Sequence, residues 1–337
     1  MKTARIGIGL VTAALVVVDG SCGCVRADLY PLTADSTTSG GGYGNTSTSS
    51  GNSGNGSTSG NASQIGLGGQ APTVCPSQVL SPGDASVSIQ VGSTNRTYVL
   101  HVPTTYDGRK PVPLVVDFHG IGSSGWGELS SSPYPAVTDR EAVVMAFPDG
   151  LKGPAGTGWN MGPCCVADVD DVSFAKAVVA DVQKTACIDP SRIYAVGVLT
   201  GGGMVHYLAC HAADLFAGAA PAAFDLLKEN IDDCHPARPI SVISFRSTAV
   251  GRVPYAGGAS TLVPGMPITF LGAKATFDKW AQLNGCSSSA SQEDSNGCSS
   301  YSTCQAGVEV MLCSTSTGAD GPGDPEIAWP LLKRHAR

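Results

Sequence analysis

The chain has 337 residues, enough for one large or two small domains with a substantial core, so length alone decides little. Only 14% of its residues are charged and the net charge is −7. No basic surface is available to neutralise phosphates, which excludes nucleic acid as an expected partner.

Lys2 and Arg5 precede an apolar run from Ile6 to Val18. The run is too short to span a bilayer and predicts an export signal over residues 1–24. The stretch Asp19-Gly20-Ser21-Cys22-Gly23-Cys24 that follows resembles a lipoprotein cleavage site. Cys22 or Cys24 would then carry a lipid and attach the chain to a membrane. Cleavage with free release is the alternative, since Asp19 suits such a site poorly. Both place the protein outside the cell or on its envelope.

Residues 25–74 read as a tether, because from Ser36 to about Gly69 the chain is nearly all Ser, Thr, Gly and Asn. Such a composition has too few apolar side chains to offset the entropy of ordering. As a random coil it would reach roughly 30 Å. Twelve cysteines less Cys22 and Cys24 leave ten, an even number that predicts disulfides in an oxidising compartment. A zinc site at Cys286, Cys298, Cys304 and Cys313 is the weaker alternative, because these cysteines lack close Cys-x-x-Cys pairs. The sequence indicates no other metal site and no cofactor.

A folded domain is expected over residues 75–337. Val87–Val91 and Tyr98–Val102 alternate apolar and polar residues around Gly92-Ser93-Thr94-Asn95, an antiparallel hairpin pattern. Continuous apolar runs follow at 114–118, 143–147, 193–198, 240–245 and 308–312, as expected of strands buried on both faces. Between them Val172, Ala175, Val178, Val179 and Val182 recur at helical spacing behind Asp170 and Asp171, which suit a helix N-terminus. Alternating strands and helices predict an α/β fold, a mostly parallel twisted sheet with helices on both faces.

One junction carries chemistry. Ile193–Gly197 forms a strand, Gly201-Gly202-Gly203-Met204 starts a helix, and Val198-Leu199-Thr200 lies between. The framing glycines match the tight turn that presents the nucleophile in α/β-hydrolases, Gly-x-Ser-x-Gly, but the serine position is Leu199. No other Gly-x-Ser-x-Gly occurs in the chain.

Further segments make the likeness specific: Pro113–Val116 with His119-Gly120, Phe147–Gly150, Trp159–Cys165, Val169–Val172, Arg192–Ala195 and Val253–Gly258. From about Tyr98 onward the chain resembles the secreted feruloyl esterase and polyhydroxybutyrate depolymerase family of α/β-hydrolases. The resemblance implies an acid at Val250 and a base in the turn Thr317–Gly321, at Asp320 or the neighbouring Ala319. Neither the acid nor the base of a triad is present there. Triad order in this fold is Ser, acid, His, and between His235 and His335 the chain has no histidine. His335, in the polar Lys333-Arg334-His335 terminus, reads as a solvated helix end. His206 and His211 read as surface or core residues of the helix after the turn.

The resemblance also implies what survives. Gly120 and Ile121 match one oxyanion donor segment and Thr200 the second, although such glycines also persist where a turn needs backbone freedom. Trp159 matches a wall of the ligand site, with a core position as the alternative. Thr200 is the candidate for a displaced nucleophile, although its side chain should point away from the cleft. Glu128, Asp149, Asp170 and Asp171 are carboxylates expected near the rim. The leading functional reading is an inactive esterase homologue that binds a polysaccharide, a phenolic ester, a polyester or an envelope component. The alternatives are an active carboxylic-ester hydrolase with substitute residues, and a structural envelope lipoprotein without a ligand.

Overall fold

The computed structural model describes residues 74–249, 251–263, 265–316 and 321–337. The export segment, the tether, Cys22, Cys24, Val250 and Asp320 lie outside the described residues.

In chain order the strands are β1 (Gly83–Val91), β2 (Thr94–Val102), β3 (Val112–Phe118), β4 (Val144–Pro148), β5 (Leu151–Gly153), β6 (Gly156–Gly158) and β7 (Ile188–Val198). They continue with β8 (Gly218–Ala222), β9 (Ser241–Ser247), β10 (Gly258–Val263), β11 (Met266–Phe270), β12 (Cys298–Tyr301) and β13 (Val310–Thr315). The helices are α1 (Gly125–Ser131), α2 (Pro135–Thr138), α3 (Asp171–Thr185), α4 (Thr200–His211), α5 (Ala273–Leu283) and α6 (Pro325–Leu332).

Nine strands form one sheet in the order β1-β2-β4-β3-β7-β8-β9-β13-β12. From β4 to β13 neighbours run parallel, while β1, β2 and β12 are antiparallel edges. This is the α/β-hydrolase arrangement. The hairpin pairs Val91 with Thr94, so its loop is Gly92-Ser93, two residues shorter than the sequence suggests. A Gly in the left-handed region at φ 58 permits the tighter turn.

Each face of the sheet buries its own core. On one side Leu114, Val116 and Phe118 of β3 meet Trp159, Phe174, Val178, Met204 and Leu208. On the other, Val99, Val115, Met145 and Tyr194 meet Tyr134 and Trp329. Burying one such side chain contributes about 1.5–3 kcal/mol. Helix α3 turns Ala175, Val178, Val179 and Val182 inward as the sequence pattern predicts, with Phe174 buried beside them and Val172 only partly buried, and Asp170 caps it by accepting from the Ser173 N–H at 2.8 Å.

The ten described cysteines form five disulfides: Cys75–Cys187, Cys164–Cys165, Cys210–Cys234, Cys286–Cys304 and Cys298–Cys313. The four cysteines weighed as a zinc site are thus two bridges. No helix among the described residues is long and apolar enough to cross a membrane.

Glu128 is a correction to the sequence expectation. It is buried under α1 rather than set on a rim, and it lies near the buried Asp117 of β3. Ser132 Oγ donates to Asp117 Oδ2 at 2.6 Å. Burial pushes both carboxyls upward, and the Asp117 charge raises Glu128 further. The folded protein therefore holds protons that the unfolded chain releases above about pH 4. The stability contributed by the protonated pair is present at low pH and declines as pH rises toward neutrality and beyond. The urea midpoint should fall from pH 5 to pH 8 in the wild type and fall less in Asp117→Asn. Equal slopes in the two proteins would dismiss the pair as the cause.

Candidate active site

Strand β7 ends at Val198 and α4 begins at Thr200, leaving Leu199 alone to make the bend. Its backbone sits at φ 53, ψ −123, a conformation that L residues avoid. The bend is fixed by close packing. A Cβ on Gly201 would overlap the Phe118 carbonyl, one on Gly202 the Ala222 carbonyl, and one on Gly197 would come within 2.8 Å of Gly201. Leu199 N–H donates to Ala222 O at 3.0 Å, and its own carbonyl accepts from Gly203 N–H at 3.0 Å. The sharp turn inferred from the glycine spacing therefore exists, with a half-buried leucine at its tip.

Across from it runs the turn after β3. A methyl group placed on Gly120 would stand 3.5 Å from Leu199 Cβ and Cδ1, so the leucine faces this turn directly. Gly120 is buried and Ile121 partly exposed. Gly122 N–H donates to Thr157 O at 2.8 Å and Ser123 N–H to Gly120 O at 3.2 Å, which hold the turn closed.

His119 braces it from below. The Gly150 N–H donates to His119 Nε2 at 2.9 Å, so Nε2 must be the bare nitrogen, and Nδ1 carries the proton it gives to Gly120 O at 2.7 Å. Burial holds its pKa below the ordinary histidine value, in keeping with a neutral ring. Both nitrogens are engaged, and the ring is a strut rather than a base. The sequence marks His119 only as part of a turn, because its partner Gly150 lies 31 residues away.

Trp159 corrects the expectation of a ligand wall. Its ring is wholly buried, 4.7 Å from the His119 ring and 5.2 Å from Phe118, and its indole N–H donates to His119 O at 2.8 Å. It supports the turn after β3 from inside. Asp171 is likewise more than a helix-terminal residue. Buried, it takes the Asn160 N–H on Oδ2 at 2.7 Å and pairs with Arg96 Nη2 through Oδ1 at 2.8 Å. Asp149 accepts from Gly125 N–H at 2.7 Å and from Thr97 Oγ1 at 2.8 Å, tying the start of α1 to β2.

Thr200 is buried and its hydroxyl has no hydrogen-bond partner. His206 is buried on α4, accepts from the Trp280 indole N–H at 3.1 Å, and is pushed down to about 3 by burial. It is a core residue. His211, at the end of α4, is half-buried beside Asp233. His335 is not a solvated helix end: it is partly buried against Glu309 at 3.0 Å, and its carbonyl accepts from Tyr194. Glu309 precedes β13, at the amino edge of the parallel strands, whereas Leu199 follows β7 at the carboxyl edge. The two lie at opposite ends of the sheet.

Tyr255, in the loop after β9, is tied to Ser314 of β13, Oη to Oγ at 2.7 Å. Arg246, at the end of β9, is buried in an ion pair with Asp225 and donates to Val253 O at 2.8 Å. The sequence offers no signal for this pair, since Asp225 and Arg246 come together only when β8 and β9 align.

No protein-family model matches the chain. Among characterised proteins it is 42% identical to feruloyl esterase B of Piromyces equi over 244 residues, 71% of this chain and 45% of that protein. It is 25% identical to the probable feruloyl esterase C of Aspergillus flavus over 258 residues, 71% of this chain and 84% of the other. The chain thus spans about half the length of the Piromyces relative. Among solved structures, the acetyl xylan esterase of Aspergillus awamori superimposes with a TM-score of 0.54 at 14% identity, covering 74% of this chain and 99% of that one.

Replacing Trp159 with Phe keeps the ring but leaves the buried His119 carbonyl without its donor. Trp159→Phe should cost about 1–3 kcal/mol in urea denaturation. A cost below 0.5 kcal/mol, by the same order-of-magnitude scale, would mean that the bond does not hold the turn.

Proposed function

We propose that this feruloyl esterase-like α/β-hydrolase binds an ester-bearing ligand outside the cell without hydrolysing it. The observation that carries the proposal is Leu199, a hydrocarbon side chain at the tip of an otherwise intact nucleophile turn. It has no lone pair with which to attack a carbonyl carbon. In this reading the acid and base positions are Val250 and Asp320, neither of which supplies the imidazole–carboxylate couple that acyl transfer needs. The N–H groups of Ile121 and Thr200 remain as donors for a bound carbonyl oxygen. The names of the relatives favour a phenolic ester, carried on a polysaccharide, over a polyester or a bare envelope component. The five disulfides support a place outside the cell; in this reading residues 1–24 are an export leader, after which the chain is either lipidated at Cys22 or Cys24 or released.

The rival is an active hydrolase in which Thr200 replaces the missing serine. Against it stands the burial of the Thr200 hydroxyl and the full engagement of the His119 ring. Loss of one triad member costs about 10⁴ to 10⁶ in turnover, and the surviving donors alone give roughly 10³ to 10⁴ over water.

Purified full-length protein should bind methyl ferulate saturably, hydrolyse it no faster than about 10⁴-fold over water, and resist a fluorophosphonate probe. Joint substitution Leu199→Ser, Val250→Asp and Asp320→His should raise turnover at least tenfold. Covalent labelling of the wild type, or wild-type turnover abolished by Thr200→Ala, would establish the active hydrolase instead.

A further inference from the structure

The central sheet ends in two outer strands, β1 and β12, and the two edges are finished differently. Along β12 the outward backbone groups of Cys298 and Ser300 are all covered by the loop that precedes the strand. Asp294 N–H donates to Cys298 O at 2.9 Å and Ser291 N–H to Ser300 O at 2.8 Å. In return Cys298 N–H donates to Asp294 Oδ1 at 2.9 Å and Ser300 N–H to Ser291 Oγ at 3.0 Å.

Strand β1 has no such cover. The two-residue loop Gly92-Ser93 makes Val91 and Thr94 the first hydrogen-bonded pair of the hairpin. Counting back from there, Ala85, Val87, Ile89 and Val91 direct their N–H and C=O groups to β2, whereas Asp84, Ser86, Ser88 and Gln90 direct theirs away from the sheet. Among the described residues nothing hydrogen-bonds these outward groups. The devices that usually guard an edge are missing too. Nine residues long and paired with β2 throughout without a bulge, β1 contains no lysine, arginine or proline. Its one charge, Asp84, is held by His101 at 2.5 Å. Beside the strand stands Trp126 of α1, 48% exposed, with its indole N–H on Ser86 Oγ at 2.8 Å.

An open edge accepts an extended strand, and the residues of β1 are complementary to β1 itself. Laid antiparallel on a second copy about a two-fold axis at Val87, the strand brings Asp84 opposite Gln90 and Ser86 opposite Ser88. All the outward positions are then in register, which gives about eight hydrogen bonds between the copies. Moving the axis to Ser86 or Ser88 loses a pair. No like charges meet, because the carboxylate of Asp84 falls opposite an amide. On the face towards α3, Val87 meets its own counterpart and Ile89 meets Ala85, hydrocarbon on hydrocarbon. Trp126, on the same face as Ser86, borders the seam.

We propose that β1 is a dimerisation edge, on which a second copy of this chain pairs antiparallel across a two-fold axis at Val87, so that one sheet runs through both copies. Such pairing is independent of what the Leu199 turn binds. The capped β12 edge stays out of it, which closes the assembly at two copies.

The test is sedimentation velocity of the full-length protein over a concentration series up to about 100 µM. The wild type should dimerise. Ser88→Pro removes an outward N–H without touching the bonds to β2, and should leave a monomer at concentrations where the wild type is paired. Gln90→Glu sets a carboxylate opposite the partner's Asp84 and should weaken dimerisation several-fold, whereas Gln90→Lys sets an ammonium there and should strengthen it several-fold. Unchanged far-UV circular dichroism certifies the fold, and the two Gln90 variants decide if Ser88→Pro does not fold. A wild type that stays monomeric at the highest concentration, a Ser88→Pro dimer as tight as the wild type, or shifts of the same sign from both Gln90 variants would each overturn the proposal.

Discussion

The closeness of three backbone segments governs this molecule. Where α4 starts, its first turn is pressed onto the carbonyls of Phe118 and Ala222 with no room for a side chain at Gly201 or Gly202. Packing that tight leaves the chain one way to pass from β7 into α4, and residue 199 must take the strained φ/ψ that results. Such strain costs of order 1–3 kcal/mol and persists only where the surroundings over-determine it. In an esterase the return is a hydroxyl held out at the tip of the turn. Here the return is a leucine laid against Gly120.

That turn is supported by a relay of polar contacts beneath the carboxyl edge. Leu199 faces Gly120, whose carbonyl is held by His119; His119 leans on Gly150 and receives the Trp159 indole on its own carbonyl. Asn160, next in the chain, gives its N–H to Asp171, and Asp171 pairs with Arg96 of β2. The relay is buried almost throughout, so removing one member leaves a partner unsatisfied in a low-dielectric setting. It also connects strand β2, through Arg96, to the turn at Gly120.

Parts of this were legible in the sequence for plain reasons. Runs such as Leu114–Phe118 and Ile193–Val198 are apolar on both faces because the central strands are covered twice, and the glycines around Leu199 stand at a spacing set by the turn. Strand β8, Gly-Ala-Ala-Pro-Ala, is silent: its residues are small because α4 and Leu332 of α6 crowd it, and Pro221 argues against a central strand by propensity. The pattern Ala273, Thr276, Phe277, Trp280, Ala281 does mark α5, but it is short and the strands around it carry no matching signal. Trp159 misled because a tryptophan beside a polar residue looks the same whether it lines a cleft or fills a core. The Asp117–Glu128 pair and the Arg96–Asp171 link were out of reach, since burial of a carboxylate depends on elements that meet only after folding.

Both described ends of the chain emerge on the side away from the Leu199 turn. Cys75 is bonded to Cys187, just ahead of β7, and Arg337 is fixed to the backbone of Pro190 and Ser191 at the start of the same strand. A tag, a bead or a crystal carrier joined at Arg337 therefore grips the domain by its base. The opposite rim, with the Leu199 turn, is left facing the bulk solution, which makes end-on immobilisation the natural geometry for presenting that turn.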